Sequence, residues 1–275
     1  MVNLTEQCPD PVAWDPNLDV SHYLNGDAGA LLENYSHVAP SEQEAHVKLI
    51  AETAWRVINY PCFRMLWFLR FEVAQYPIYG EIVQRVKDGG LFLDLGCGLA
   101  QDVRRLVYDG APSENTIALD NRAEFINLGY ALFQDKETLK TEFVVQNFLD
   151  DSLFEHPWAG KISVANAGYF IHIWSWNGQV KAIKRILRLL SMKDGDTVTG
   201  LNFGKHNPGP AEGFLAVDGE PVFRHNPTTI SRLWEQVGEE TGTKWVVEAR
   251  MEEDEGHRNV MSDGDRLVWY AKLQK

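Results

Sequence analysis

The chain has 275 residues, 44% hydrophobic and 24% charged, which supplies one sizeable core and excludes disorder, a collagen-like repeat and a disulfide scaffold. Its 39 acidic and 26 basic residues leave a formal net charge of −13 at pH 7, so a polyanion meets net repulsion and nucleic acid is not an expected partner. No run approaches the roughly 20 apolar residues that span a bilayer, Met1 to Asp10 lacks the two halves of an export signal, and Cys8, Cys62 and Cys97 share no CxxC spacing; a cytoplasmic protein without disulfides or a cysteine metal site is expected.

The sequons Asn3-Leu-Thr5 and Asn34-Tyr-Ser36 carry no expectation of glycosylation without export. A Pro/Asp-rich lead-in, Pro9 to Pro16, precedes Ser41-Glu-Gln-Glu44, whose serine and glutamate match a capping box. A helix is expected from there to about Asn59, with Ile50, Ala54, Trp55 and Ile58 at helical spacing. After Pro61 a second stretch, Phe63 to Gln75, is apolar nearly all round and reads as a buried helix, and Ile78, Ile82, Val83 and Val86 mark one more that closes at Gly89-Gly90. The chain changes character near residue 80, giving a helical cap over 1–80 and a core over 81–275.

In that core, short apolar runs alternate with amphipathic helices, the pattern of a parallel sheet covered on both faces. Strands are expected at Leu91–Leu95, Thr116–Asp120, Glu142–Gln146, Ile162–Asn166 and Thr197–Phe203, with helices at Gln101–Tyr108, Ala123–Gln134 and Asn177–Ser191. The last of these carries Lys181, Lys184, Arg185 and Arg188 on a face that reads as solvated. Val217-Asp-Gly-Glu220 reads as a hairpin turn, Pro227–Thr241 as a helix, Lys244–Ala249 and Leu267–Leu273 as a closing strand pair, and Glu252–Glu255 as a solvated loop.

The sharpest local signal is Leu91-Phe-Leu-Asp94-Leu-Gly96-Cys-Gly98-Leu-Ala-Gln101-Asp102. An apolar strand ends on a carboxylate and enters a glycine turn, where the missing Cβ atoms let a ligand approach the backbone. A dinucleotide fold would place a third glycine at Gln101, and a diphosphate would be repelled by Asp94, whereas the ammonium and sulfonium of S-adenosylmethionine would be attracted. Asp120, some 20 residues further on, is placed to accept ribose hydroxyls. Asn147 and Phe148 after the third strand could read the adenine edge and cover its face. After the fourth strand, Asn166-Ala-Gly-Tyr-Phe170-Ile-His172-Ile-Trp174-Ser-Trp176 brings aromatic rings and one histidine to the same sheet edge. His172 there could orient an oxygen nucleophile or take its proton.

At these residues the sequence resembles the class I S-adenosylmethionine-dependent methyltransferases, and within them a fungal group of meroterpenoid-pathway O-methyltransferases. The shared strings are Leu93 to Gly110, Phe125 to Phe133 and Phe170 to Val180. The group more often has other residues at Asn121, Asn147 and Ala167-Gly168. The resemblance implies a Rossmann-like seven-stranded fold, mostly parallel with a C-terminal antiparallel strand, plus an N-terminal helical lid. It also implies S-adenosylmethionine as cofactor, no metal, and a site in which Asp94, Gly96, Gly98, Asp120, Asn121, Asn147, Phe148 and Asn166 hold the cofactor while His172 is catalytic.

The acceptor it implies is a small apolar molecule, with the carboxyl of a farnesylated dimethylorsellinic acid scaffold named first. Trp55, Phe63, Trp67, Phe170 and Trp174 are the expected substrate contacts, with Tyr60 and Phe71 as further candidates in the cap, whose helical layer could also join a homodimer. Two other readings stay open: a nicotinamide-dependent reductase, and a methyltransferase-like protein that keeps the cofactor without transferring methyl, as an isomerase or cyclase.

Overall fold

In the computed structural model, which describes residues 18–260 and 262–275, the apolar runs after residue 90 pair as one seven-stranded sheet. Its strands are β1 (Leu91–Leu95), β2 (Thr116–Asp120), β3 (Glu142–Val145), β4 (Ile162–Gly168), β5 (Thr197–Lys205), β8 (Lys244–Glu252) and β9 (Gly264–Gln274), in the order β3-β2-β1-β4-β5-β9-β8. Adjacent pairs among the first five strands are parallel, while β9 runs antiparallel to β5 and β8. The expected Rossmann-like architecture is present. β6 (Gly209–Leu215) and β7 (Pro221–Arg224) form a separate hairpin closed by the turn read at 217–220. Because strand order reverses between β1 and β4, a crevice opens at the carboxyl ends of those two strands.

Strand alternation divides the core. Leu93 and Leu95 face α8 (Trp176–Leu189) and α9 (Pro227–Thr241), meeting Ile183, Ile186, Ile230 and Trp234. Phe92 and Val164 face α5 (Tyr79–Lys87) and α6 (Gln101–Tyr108), meeting Ile82, Val86, Val103 and Leu106. Each such fully buried side chain contributes roughly 1.5–3 kcal/mol of transfer free energy. The remaining helices are α1 (Ser21–Leu24), α2 (Asp27–Asn34), α3 (Pro40–Val57), α4 (Pro61–Arg64), α7 (Ala123–Phe133) and α10 (Glu255–Val260). The first four pack through Leu31, Leu32, Val47, Ala54 and Phe63 onto Phe125 and Phe133 of α7. Among the described residues no helix is long and apolar enough to cross a membrane.

Four local expectations are corrected. The N-cap of α3 is Ala39 with Pro40 in the first turn and no side-chain cap, so Ser41 and Glu44 do not form a capping box; proline's fixed φ starts the helix one residue before the serine. Phe63–Gln75 is not one helix: Leu66 (φ 54°) and Phe71 (φ 47°) are left-handed and split it into α4 and two 3-10 turns, Trp67–Leu69 and Glu72–Gln75. The run at 252–255 is a solvated loop only in part: Glu253 and Glu255 are exposed, but β8 reaches Glu252, α10 starts at Glu255, and Asp254 between them is held 2.5 Å from Arg70 of the cap. The basic face of α8 is only partly solvated: Lys181 and Arg188 are exposed, while Arg185 is drawn to carbonyls of the loop after β3. Cys8, the Asn3 sequon and the Pro9–Pro16 lead-in lie outside the described residues.

Candidate functional site

The turn after β1 depends on its glycines. Gly96 (φ 67°) and Gly98 (φ 54°) are left-handed, and Ala100 (φ 51°) repeats that conformation at the start of α6. A Cβ on Gly96 would stand 2.8 Å from the Phe170 ring, whereas one on Gly98 would meet nothing within 4 Å. Gly96 therefore admits a neighbouring side chain, and Gly98 leaves room beside the backbone for a ligand. The Gly98 and Arg122 amides donate to the two oxygens of Asp120, each at 2.9 Å, fixing that carboxylate beside the turn. Asn121 is exposed next to it.

Asp94 is 3% exposed and, in the strand register, stands beside Asn166. Asn166 donates to it at 2.8 Å, while the Asn166 carbonyl oxygen accepts from Tyr76 (3.2 Å) and Thr199 (3.0 Å). Among the described residues no basic side chain forms an ion pair with Asp94. Burial, with the nearby Asp102 adding to it, pushes its carboxyl well above the ordinary range. A buried carboxylate without a cation is costly; an ammonium is the partner that would restore its charge. The donor set and the open face at Gly98 thus fit S-adenosylmethionine. Asn166 has its side-chain oxygen committed to protein donors, so it orients Asp94.

After β3, Asn147 is exposed and its side-chain oxygen accepts from the Leu149 amide at 2.9 Å. Phe148 is buried edge-on to Phe170, with ring centres 5.0 Å apart. Arg185 donates to the Phe148 carbonyl at 3.1 Å and the Asp150 carbonyl at 3.0 Å, which ties this loop to α8. The cap reaches the same end of the sheet. Tyr60 lies near enough to Asp120 for that charge to add to the burial that raises its phenol.

Beyond Phe170 a cluster of rings packs together. Tyr169 (φ 49°) turns the chain out of β4, and His172 follows in the 3-10 turn Ile171–Ile173. The His172 ring meets Tyr169 and Phe203 edge-on at 5.9 and 5.6 Å. Trp67 of the cap stacks on Tyr169 at 5.5 Å and on His257 of α10 at 4.7 Å. The Tyr169 hydroxyl is 2.9 Å from His257 Nε2, and an oxygen of Asp254 is 3.1 Å from His257 Nδ1. Burial, then the charges of Arg224 and His257, hold His172 well below its ordinary pKa, so it is neutral at neutral pH. Trp67 Nε1, Glu72 Oε1, His172 Nδ1, Arg224 Nε and His257 Nδ1 are buried without a hydrogen-bond partner. Native interiors rarely leave such atoms unsatisfied, and a polar end of a ligand would supply the partner.

Of the aromatic residues expected at the substrate, Trp67 joins the surroundings of His172. Phe170 lies against Gly96 of the glycine turn, with Trp174 5.2 Å behind it. Trp55, Phe63 and Phe71 lie in the interior of the cap, Phe63 packing on Phe125 at 4.9 Å. Tyr76, Phe203, Arg224 and His257 were missed, because each is brought in from a distant segment and none sits in a recognisable motif. A groove of about 1110 Å³ lined by Gly80, Arg85, Gly90 and Asp196 lies at the opposite, amino edge of the sheet and shares no residue with these loops.

Residues 14–69 match the family model described as the meroterpenoid methyltransferase N-terminal domain. The chain is 40% identical over 234 residues to O-methyltransferase atr3 of Stereocaulon alpinum, covering 82% of this chain and 66% of that relative, just under two thirds of its length. It is 35% identical over 233 residues to the asnovolin E/chermesin D methyltransferase nvfJ of Aspergillus novofumigatus, covering 82% and 81%. Its fold is similar to that of a Burkholderia thailandensis 1,6-didemethyltoxoflavin-N1-methyltransferase solved with S-adenosylhomocysteine, at TM-score 0.53 and 16% identity, covering 86% and 92%. These matches set the nicotinamide-reductase reading aside. With a glycine turn facing open space and a buried, cation-free carboxylate behind it, the chain belongs to the class I S-adenosylmethionine-dependent methyltransferases, in the fungal meroterpenoid O-methyltransferase group.

Proposed function

We propose that the protein methylates an oxygen of a small apolar natural product, and that the acceptor is the carboxyl group of a farnesylated dimethylorsellinic acid-type intermediate. The observation that carries this reading is the cluster of rings around His172 with unpartnered buried polar atoms among them, two residues from the Phe170 ring that packs on Gly96. S-adenosylmethionine, when bound, supplies an electrophilic methyl group. Asp94 would hold its ammonium, Asp120 with Asn121 the ribose hydroxyls, and Asn147 with Phe148 the adenine. The reaction disperses charge, so the aromatic walls assist by excluding water and fixing the acceptor at near-attack distance, roughly 3–3.5 Å. A carboxylic acceptor is already ionised at neutral pH, with a reference pKa near 4; neutral His172 then has only to orient it.

The test is incubation of the full chain with S-adenosylmethionine and the farnesylated acid, followed by mass spectrometry. Gain of one methyl that saponification removes supports the ester. A gain that resists saponification moves the acceptor to a phenol. Tight binding of S-adenosylhomocysteine with no methyl gain on any candidate favours the isomerase or cyclase reading.

A further inference from the structure

Three arginines of this fold that are withdrawn from solvent are matched to carboxylates. Arg104 grips Asp135 through two bonds of 2.7 and 2.9 Å, Arg70 reaches Asp254, and Arg266 reaches Glu72 at 2.8 Å and Glu252. Arg224, at the end of β7, differs. Among the described residues it forms no ion pair, and its one hydrogen bond runs from Nη1 to the His172 carbonyl at 2.7 Å. Nε is buried and unpartnered, and Nη2 makes no hydrogen bond among the described residues. Nε and Nη2 form the edge of a guanidinium that engages a carboxylate with two parallel bonds. The group lies over the Phe203 ring at 5.6 Å, and Phe203 also borders His172. Burial alone pushes Arg224 down to about 10, so the cation is held at a cost that no protein anion offsets.

The position is firmly set. The Phe223 amide donates to the Trp174 carbonyl at 3.2 Å, and Gln179 donates to both the Trp174 and Phe223 carbonyls, at 3.0 and 2.9 Å. The hairpin end is thereby locked to the segment carrying Phe170 and His172. Phe170, whose ring lies against Gly96, and His172, whose carbonyl accepts from Arg224, are two residues apart on that segment.

We propose that Arg224 is the anchor for a carboxylate on the acceptor, the guanidinium edge holding both oxygens through one lone pair each and leaving the second lone pair of one of them to attack. This rests on the methyl-transfer reading above and adds the residue that selects an acid over a neutral molecule. On methyl transfer the bond from the attacking oxygen to the methyl carbon forms as the carbon–sulfur bond breaks. The negative charge of the carboxylate is lost with it, so the neutral ester no longer pairs with Arg224, which favours product release.

The test uses the full chain loaded with S-adenosylhomocysteine and four probes: farnesylated dimethylorsellinic acid, farnesoic acid, and the carboxamide of each. Calorimetry on wild type, Arg224→Met and Arg224→Lys should show wild type preferring the acids. Arg224→Met should weaken acid binding by about 30-fold or more, as for loss of one member of a buried charge pair, with Arg224→Lys intermediate. Amide and S-adenosylhomocysteine affinities should change less than about 3-fold. Equal losses for acid and amide, no loss for either, or no acid preference in wild type would overturn the anchor. Thermal melting guards against misfolding, since removing an unpaired buried cation should leave the melting temperature unchanged or raised. Arg224-dependent acid binding without ester formation would keep the anchor and remove the esterification. Ester formation by Arg224→Met at unchanged KM would do the reverse.

Discussion

Alanine at Gly96 and at Gly98 should produce opposite failures, although only Cys97 separates them on one turn. Both are left-handed, and that conformation costs an L-residue roughly 1–2 kcal/mol. For Gly98→Ala nothing is added, because its Cβ meets no atom within 4 Å. At about 2–4 °C per kcal/mol for a domain of this size, melting should fall by about 2–8 °C. For Gly96→Ala the Cβ strikes the Phe170 ring at 2.8 Å. That ring cannot retreat freely, with Phe148 and Trp174 centred 5.0 and 5.2 Å away. An off-rotamer phenylalanine adds about 0.5–1.5 kcal/mol and a disturbed aromatic pair as much again, for a total of roughly 2–5 kcal/mol. Affinity should separate the two the other way: if the cofactor lies along Gly98, its new methyl group weakens S-adenosylhomocysteine by at least about tenfold. Scanning fluorimetry and calorimetry read both quantities. Wild-type affinity in Gly98→Ala, or a Gly98→Ala protein less stable than Gly96→Ala, would refute the assignment of that open face to the cofactor.

His172→Ala should lower turnover of a carboxylic acceptor by about 3- to 10-fold with no new pH dependence, but that of a phenol by about 10²–10⁴; equal, pH-independent losses for both acceptors would remove any role in proton transfer. Trp67→Leu should raise the acceptor KM by about tenfold and leave S-adenosylhomocysteine affinity unchanged, because the indole stacks on Tyr169 and His257 and makes no contact with the glycine turn. Glu72 is pushed up to about 7, chiefly by burial, above its unfolded value near 4.3, so the folded chain holds that proton more firmly and stability from this site falls as pH rises between those values. The melting advantage of Glu72→Gln over wild type should grow from pH 5 to 7.5; a shrinking one would mean that Arg266, 2.8 Å away, outweighs desolvation.

The sheet and the glycine turn were legible because their signals are local. β1 to the start of α6 is one unbroken segment, and Asp94, Gly96 and Gly98 stand where the strand-to-helix pattern puts them. Asp120 follows from the end of the next strand. The ring cluster around His172 was only half legible. His172 and Phe170 lie in a visible aromatic run, but their neighbours Phe203, Arg224 and His257 come from β5, β7 and α10, and no spacing in the sequence brings these together. Asp254 was hidden for another reason: inside an acidic run a carboxylate reads as solvated, and only its partner Arg70, 184 residues away, buries it. Trp55 and Phe63 mark the converse, since aromatic residues at helical spacing look the same whether they line a site or, as here, fill the cap's interior.

The backbone departs from ordinary geometry where the two ends of the site meet. Leu66, Phe71, Ala100 and Tyr169 are left-handed without being glycine, each at a cost of roughly 1–2 kcal/mol. Burial offsets it: Leu66 and Phe71 are each 1% exposed, and enclosing side chains of that size returns about 1.5–3 kcal/mol apiece. Continuous helix over Phe63–Gln75 would set Trp67 and Glu72, five residues apart, about 140° apart around the axis, and only one could face the sheet edge. The breaks at Leu66 and Phe71 let both do so. Trp67 lies flat on Tyr169, and the Glu72 charge acts on the same phenol. The cap therefore presents a fixed ring and a fixed carboxyl to the end of β4, and the strained residues hold that surface in place.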